Sequence, residues 1–292
     1  MSRAPGKPMK LVFCTDFHGD EGHYSHLETV ARQLKPDVIV LGGDMYPDDS
    51  ALNPKTMGKG QPEYVRQFFR KTMLSIREAS GCRHILVIFG NHDWGSSVAA
   101  TRELEKERLV SVLDLVRPVT VEGLAFMGYS STPPTPWFVK DFERLDRPGD
   151  DPPLLGGARW DARFSRPSTK SARLIYTGTK SMSEELAELK PPPAPWVLVA
   201  HSPPFESMLD RYYENQAWGS RSIRAVIEKH RPLLSLHGHI HESPDVTGSF
   251  SDHIGETLAI NPGQSRSSMR YATVDIDVPA RRILDAKHGR AT

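Results

Sequence analysis

Five short blocks, in order along the chain, put metal-ligating side chains just past an apolar run. They are Asp16-Phe17-His18, Gly42-Gly43-Asp44, Gly90-Asn91-His92-Asp93, Ala200-His201-Ser202 and Gly238-His239-Ile240-His241. The runs before them, Leu11 to Phe13, Val38 to Leu41, Ile85 to Phe89, Trp196 to Val199 and Leu233 to Leu236, read as buried strands. Their near-continuous apolar character suits strands covered on both faces. Open α/β sheets gather ligands at strand ends, because the loops converge on one edge there.

Helical periods separate these strands. Leu27, Val30, Ala31 and Leu34 fall on one face, as do Val65, Phe68, Phe69 and Ile76 behind Pro62. Ile223, Val226 and Ile227 form a third stripe with Ser220 as its N-cap, and Ser181 with Glu184 reads as a capping box opening a fourth helix. Val119 to Val121 and Leu124 to Met127 flank Glu122-Gly123 as a hairpin. Leu258 to Ile260, Ala272 to Ile276 and Arg282 to Leu284 read as further strands, the last two pairing around Val278-Pro279. Alternating β and α units with added strand pairs predict an α/β protein with a mixed, layered core.

The chain of 292 residues is read as one domain, 1–292, with a flexible N-terminus over 1–9. A proline-rich insertion covers about 129–195. Of the 24 prolines, 11 lie between Pro133 and Pro195, alongside Trp137 and Trp160, and periodicity weakens there. It reads either as a surface excursion packed on the body through its tryptophans or as a cap over the active-site rim.

A formal net charge of +1, from 37 basic and 36 acidic residues, gives no sequence-independent grip on nucleic acid. A small phosphate ester needs only local positive charge. No apolar stretch approaches a membrane span. Cys14 and Cys82 do not make a disulfide framework, and the chain is read as cytoplasmic.

The five blocks supply imidazoles, carboxylates and one amide. That is the usual ligand set for two divalent transition metals sharing a carboxylate. The set favours Mn, Fe, Zn, Co or Ni over Mg or Ca, and the lack of cysteine ligands argues against a structural zinc site. Asp16 and His18, like His239 and His241, lie two apart, so an extended backbone points both members of each pair one way. Gly42 and Gly43 let the chain bend before Asp44. His23 and His26 read as a solvated helix start, His237 as a core residue, Arg221 as a solvated base, and Asn261-Pro262-Gly263 as either pocket wall or turn.

Asp-x-His, Gly-Asp, Gly-Asn-His-Asp, a lone His and Gly-His-x-His together resemble the calcineurin-like metallophosphoesterases. The stretch from Gly219 to Ser243, with Asn261-Pro262-Gly263-Gln264, is similar to the Icc-related branch. The resemblance implies a four-layer α-β-β-α sandwich with two mixed β-sheets. It implies one ion on Asp16, His18 and His241, another on Asn91, His201 and His239, and Asp44 bridging them. His92 would stand near the substrate as general acid, and Asp93 would either orient it or cap a turn. One departure stands out: where the family often has Gly-Asp-x-x-Asp, this chain has Pro47, with Asp48 and Asp49 after it.

A dinuclear centre carrying two carboxylates and a bridging hydroxide keeps a formal charge of about +1, which attracts a phosphate ester. Such a pair lowers the pKa of bound water from about 15.7 toward 7. The expected activity is hydrolysis of small phosphodiesters, cyclic nucleotides among them, by direct attack of that hydroxide. Phosphomonoesters are the runner-up. A non-catalytic scaffold of the same fold is the rival from another class, and the retention of every ligand position weighs against it.

Overall fold

Side chains alternate along each apolar run, and that alternation decides which layer each strand joins. The computed structural model describes residues 7–48, 56–193 and 195–292. The first sheet takes its strands in the order β14-β13-β1-β2-β3-β4. These are β1 (Met9–Cys14), β2 (Val38–Gly42), β3 (His84–Ile88), β4 (Ser111–Val112), β13 (Met269–Asp277) and β14 (Arg282–Ala291). The second runs β11-β12-β10-β9-β6-β5. It contains β5 (Val119–Val121), β6 (Leu124–Tyr129), β9 (Trp196–Ala200), β10 (Leu234–Leu236), β11 (Ser251–Ile254) and β12 (Thr257–Ile260). The first sheet is parallel from β1 to β4 and antiparallel at its β13–β14 side, and the second has a parallel centre with antiparallel edges, so both are mixed.

One set of alternate residues packs the sheets together: Leu11, Phe13, Val38, Val40 and Leu86 face Phe126, Val197, Val199, Leu234 and Leu236. The opposite set of the first sheet, including Val12, Ile39, Leu41 and Val87, is covered by helices. These are α1 (Glu21–Leu34), α2 (Gly60–Tyr64), which runs through a π turn (Val65–Phe69) into α3 (Arg70–Ser80), and α4 (Gly95–Lys106). On the far side, Ala125, Met127, Trp196 and Leu198 are covered by residues of α6 (Met182–Leu186) and α7 (Arg221–His230). The result is the expected order helix, sheet, sheet, helix, with two mixed sheets. Ser220 caps α7, and Ser181 with Glu184 closes a capping box on α6.

The hairpin β5–β6 turns at Glu122 and Gly123, both at positive φ, as its two-residue loop requires. Strands β13 and β14 are longer than the sequence pattern indicated, because strands with one less buried face lack a continuous apolar signal: β13 alternates buried and half-buried residues, and the edge strand β14 is mostly open. Helix α4 lacks an apolar stripe for a related reason: its buried face is Ser96, Ser97, Ala100, Thr101 and Leu104, mostly residues that pack by being small. Met9 is fully buried in β1, so chain expected to be flexible over 1–9 is sheet by Met9.

The proline-rich stretch folds on itself. It contains a two-stranded sheet, β7 (Gly157–Asp161) with β8 (Arg166–Lys170), and the short helices α5 (Ala172–Tyr176) and α6. Trp160 packs beside Trp94 and Met57 on the body. Inside the stretch, Lys140 and Glu143 form a fully buried ion pair, 2.8 Å apart. Glu143 also accepts from the Thr135 amide, the Thr135 hydroxyl and the Tyr176 hydroxyl, and Lys140 donates to the Thr135 carbonyl.

Phe126 fills the space between the sheets with no solvent exposure. Phe126→Ala is expected to cost about 3–5 kcal/mol through the cavity it leaves, read as a drop in the urea midpoint with an unchanged slope.

Candidate metal centre

Strands β1, β2 and β3 lie side by side and parallel, as do β9 and β10. Their carboxyl ends therefore open on one edge, and the loops of the two sheets meet across it. His201, after β9, has its Nε2 3.1 Å from Asp44 Oδ2, after β2. The His239 amide, after β10, donates to Asp16, after β1, at 3.1 Å. The His92 amide, after β3, donates to Asp44 at 2.7 Å. Asp16, His18, Asp44 and His239 all adopt positive φ, a strained conformation for such residues that turns their side chains inward. Two glycines make the close approach possible. A Cβ on Gly238 would collide with Asp16 and Thr15, and one on Gly90 would collide with Asp44 and His201.

Among the described residues three groupings have ligand atoms within 4.8 Å of one another: His18, Asp48 and His92 at the outer side, and two deeper ones, Asp16, His18 and His241, and Asp16, Asp44 and His201. Asp16 belongs to both of the deeper ones, whereas the resemblance implied that Asp44 would be the shared carboxylate. His18 Nε2 and His241 Nε2 lie 3.3 Å apart, and His241 Nε2 is 3.2 Å from Asp16 Oδ1. Asn91 is fully buried beside Gly90, and neither its Oδ1 nor its Nδ2 meets a hydrogen-bond partner. His239 reaches the same pocket, its ring 5.4 Å from that of His201.

These residues fit divalent cations. His201 Nδ1 donates to the Gly42 carbonyl at 2.8 Å, which leaves Nε2, without a hydrogen-bond partner, aimed at the carboxylates. Burial and the charge of His201 drive the pKa of His239 down to about 3, so its imidazole is neutral and has a lone pair to give. Burial opposes the charge on Asp16, yet His241 outweighs it and holds the carboxyl at about 2. Burial likewise works against Asp44, and His201 and His92 still keep it well below the ordinary range. Without a cation, His201 takes up the compensating proton: burial disfavours it, but Asp44 lifts the pKa to about 9. A buried amide with both ends unpaired costs about 1–3 kcal/mol per group, and a cation at the Asn91 oxygen relieves part of that.

His92 is held by a residue the sequence reading did not select. Asp48 Oδ1 accepts from His92 Nδ1 at 2.7 Å and lies 3.1 Å from His18 Nδ1. One carboxylate thus fixes both rings so that each Nε2 is left for the pocket. The signal was present: with Pro47 at the usual position, the second-block carboxylate comes one residue later. Asp49 lies outside the described residues. The carboxylate that accepts from the His92 ring is that of Asp48, and the Asp93 carboxylate is taken up by backbone amides of two loops. Asp93 is fully buried, and it accepts from the amides of Asp44, Gly90 and Tyr46, tying the second loop to the third. Its pKa rises to about 7 through burial and the nearby Asp44.

Of the other residues singled out in sequence, His237 keeps its expected place and others do not. His23 is not solvated: it is buried, with Nε2 donating to the Ser265 carbonyl and Nδ1 3.2 Å from Asp20. His237 is a core residue, its Nδ1 shared by the Ala200 and Ser202 carbonyls. Asn261 is buried and gives its amide to Leu209, Gly238 and Ile240, bracing the last loop rather than lining the pocket. Arg221 lies over the Phe205 ring, 3.6 Å from its centre, away from this site.

The pocket over these side chains is a cavity of about 850 Å³, walled beyond the histidines by Trp137, Tyr212, Tyr213 and Trp218. Burial disfavours the charged form of His92, but Asp44 and the hydrogen bond to Asp48 lift its pKa to about 9. In the metal-free protein the ring is therefore expected to stay protonated at pH 7 and to lose its proton as the pH passes 9. Asp48→Asn removes a stabilising charge, so the midpoint moves down; an unchanged NMR titration of His92 would contradict the pairing.

A sequence profile of the calcineurin-like phosphoesterase family matches residues 9–243. No curated protein sequence matches the chain. One solved crystal structure superposes with a TM-score of 0.65 at 18% identity, over 98% of this chain and 100% of that one. TT1561 of Thermus thermophilus superposes with a TM-score of 0.54 at 15% identity, over 97% and 99%. Both likenesses are of fold. With the profile spanning most of its length, the chain belongs to the calcineurin-like phosphoesterases, a family of metal-dependent phosphate-ester hydrolases.

Proposed function

We propose that this protein hydrolyses small phosphodiesters with two divalent transition-metal ions at the strand-end edge. The observation that carries this is the meeting of two buried carboxylates and four imidazoles at one strand-end edge, with the buried Asn91 amide left unpaired on the loop after β3. Asp16, His18 and His241 would hold one ion, and Asn91, His201 and His239 the other, with Asp16 and Asp44 between them. When bound, the ions supply Lewis acidity and water acidified to near-neutral pKa.

The chain's own groups do the rest. His92, held through Nδ1 by Asp48, presents Nε2 to the leaving oxygen and donates its proton there, worth about 10²- to 10⁴-fold. Asp93 keeps the second and third loops together, so that Asp44 and His92 retain their spacing. A cavity of about 850 Å³ exceeds what a bare phosphate needs and suits an ester carrying organic groups on both sides. The two cysteines, Cys14 and Cys82, are free and buried, which agrees with a reducing compartment such as the cytoplasm. Among the described residues, no helix is long and apolar enough to cross a membrane.

Two measurements test the reading. With Mn²⁺ added, an aryl phosphodiester is expected to turn over faster than the matching monoester, and chelator is expected to abolish both; preference for the monoester would reverse the substrate assignment. His92→Ala is expected to retain two metal equivalents by elemental analysis while losing about 10²- to 10⁴-fold in kcat. Metal lost together with rate would place His92 among the ligands instead.

A further inference from the structure

Four exposed or half-exposed aromatic rings surround the pocket, and they arrive from two separate segments. The rings of His92, His18 and His241 form a row across its floor, with neighbouring centroids 4.7 and 5.1 Å apart. Trp137 stands at the His92 end, its ring 4.7 Å from the imidazole, and is 55% exposed. The second segment is tied down near the other end, where the Arg211 amide donates to the Ser243 hydroxyl two residues past His241. It carries Tyr212, Tyr213 and Trp218 as one cluster, with centroids 4.7 and 5.1 Å apart.

Both tips are built rigidly. Thr135, two residues before Trp137, is gripped by Glu143 and Lys140, and its hydroxyl accepts from the Trp137 amide. Buried Asp210 accepts from the amides of Glu206, Ser207 and Gly219 and so closes the loop bearing the other three rings. Large aromatic faces left open to water are costly, and holding them in place with buried charges costs more. A ligand surface is the physical return on such an arrangement.

We propose that these rings take a planar aromatic group of the substrate, so that the esters turned over carry a nucleoside or comparable aryl group. This rests on the phosphoesterase reading. Because His92 serves the leaving oxygen, the alcohol on that oxygen lies beside Trp137, and Trp137 determines specificity on the leaving-group side. The proline-rich insertion thereby contributes the wall that selects the substrate.

Calorimetry on the metal-loaded protein tests this with three hydrolysis-resistant phosphonates: the analogues of adenosine 5′-monophosphate, of benzyl phosphate and of ribose 5-phosphate. At least one flat-ring analogue is expected to bind about tenfold or more tighter than the ribose analogue, an ordinary effect for a base stacked on an aromatic ring. Preference for adenosine alone assigns the group to a nucleobase, and preference for both assigns it to any flat ring. Trp137→Ala is expected to cut that preference several-fold, and Trp137→Phe to keep most of it. Equal affinities for all three, or a preference untouched by both Trp137→Ala and Trp218→Ala, would overturn the proposal. Turnover of an aryl diester by the Mn²⁺-loaded protein, measured alongside, separates the two readings. No turnover with the binding preference intact would sink the hydrolase reading and leave the aromatic walls standing.

Discussion

Two carboxylates buried at the ends of neighbouring parallel strands impose the central constraint on this molecule. Asp16 and Asp44 are almost fully shielded from water, where unpaired negative charge is costly. The surrounding structure is arranged to hold them ionised. Backbone amides of His239 and His92 point at them, imidazoles of His201 and His241 stand beside them, and glycines at 90 and 238 open the room. Four residues in left-handed conformations accept strain for this. The pairing of β1 with β2, and of β9 with β10, sets the spacing that the loops then refine.

A second layer of polar contacts, most of them buried, supports the first. Asp48 fixes two rings, Asp93 staples two loops, Asn261 braces the last loop, and His237 joins the ends of β9 and β10. Asp93, Asn261 and His237 give their side-chain groups to backbone, and Asp48 gives one oxygen to two rings, which keeps the pocket floor in one arrangement. The insertion adds a third layer. Its fully buried Lys140–Glu143 pair anchors the tip beside His92, so a segment with little regular structure still presents a fixed wall.

Much of the fold was legible because burial leaves a mark on sequence. Strands covered on both faces are continuous apolar runs, and α1, α3 and α7 bury stripes at helical spacing. The five strand-end blocks stood out for a different reason: Asp, Asn and His at strand ends have few structural alternatives when five such blocks occur in order. What escaped was whatever lacked a periodic or compositional mark. Helix α4 packs through small residues, β14 has a wet face, and the hairpin β7–β8 sits among prolines. His23 carried no mark of burial, since its partner at Ser265 lies 242 positions away.

By itself the sequence determined the element types, the layered α/β class and the side chains available for metal chemistry, since these follow from local spacing and residue chemistry. Tertiary structure decided which carboxylate serves which ring. Asp48 rather than Asp93 meets His92, although Asp93 is its chain neighbour, because a backbone bend turns the Asp93 carboxylate onto three amides while the second loop folds back over the site. It also decided that Trp137 and Tyr212, 75 positions apart in sequence, would wall one cavity. Contacts of that kind depend on how loops close over packed sheets, and no local pattern encodes that closure.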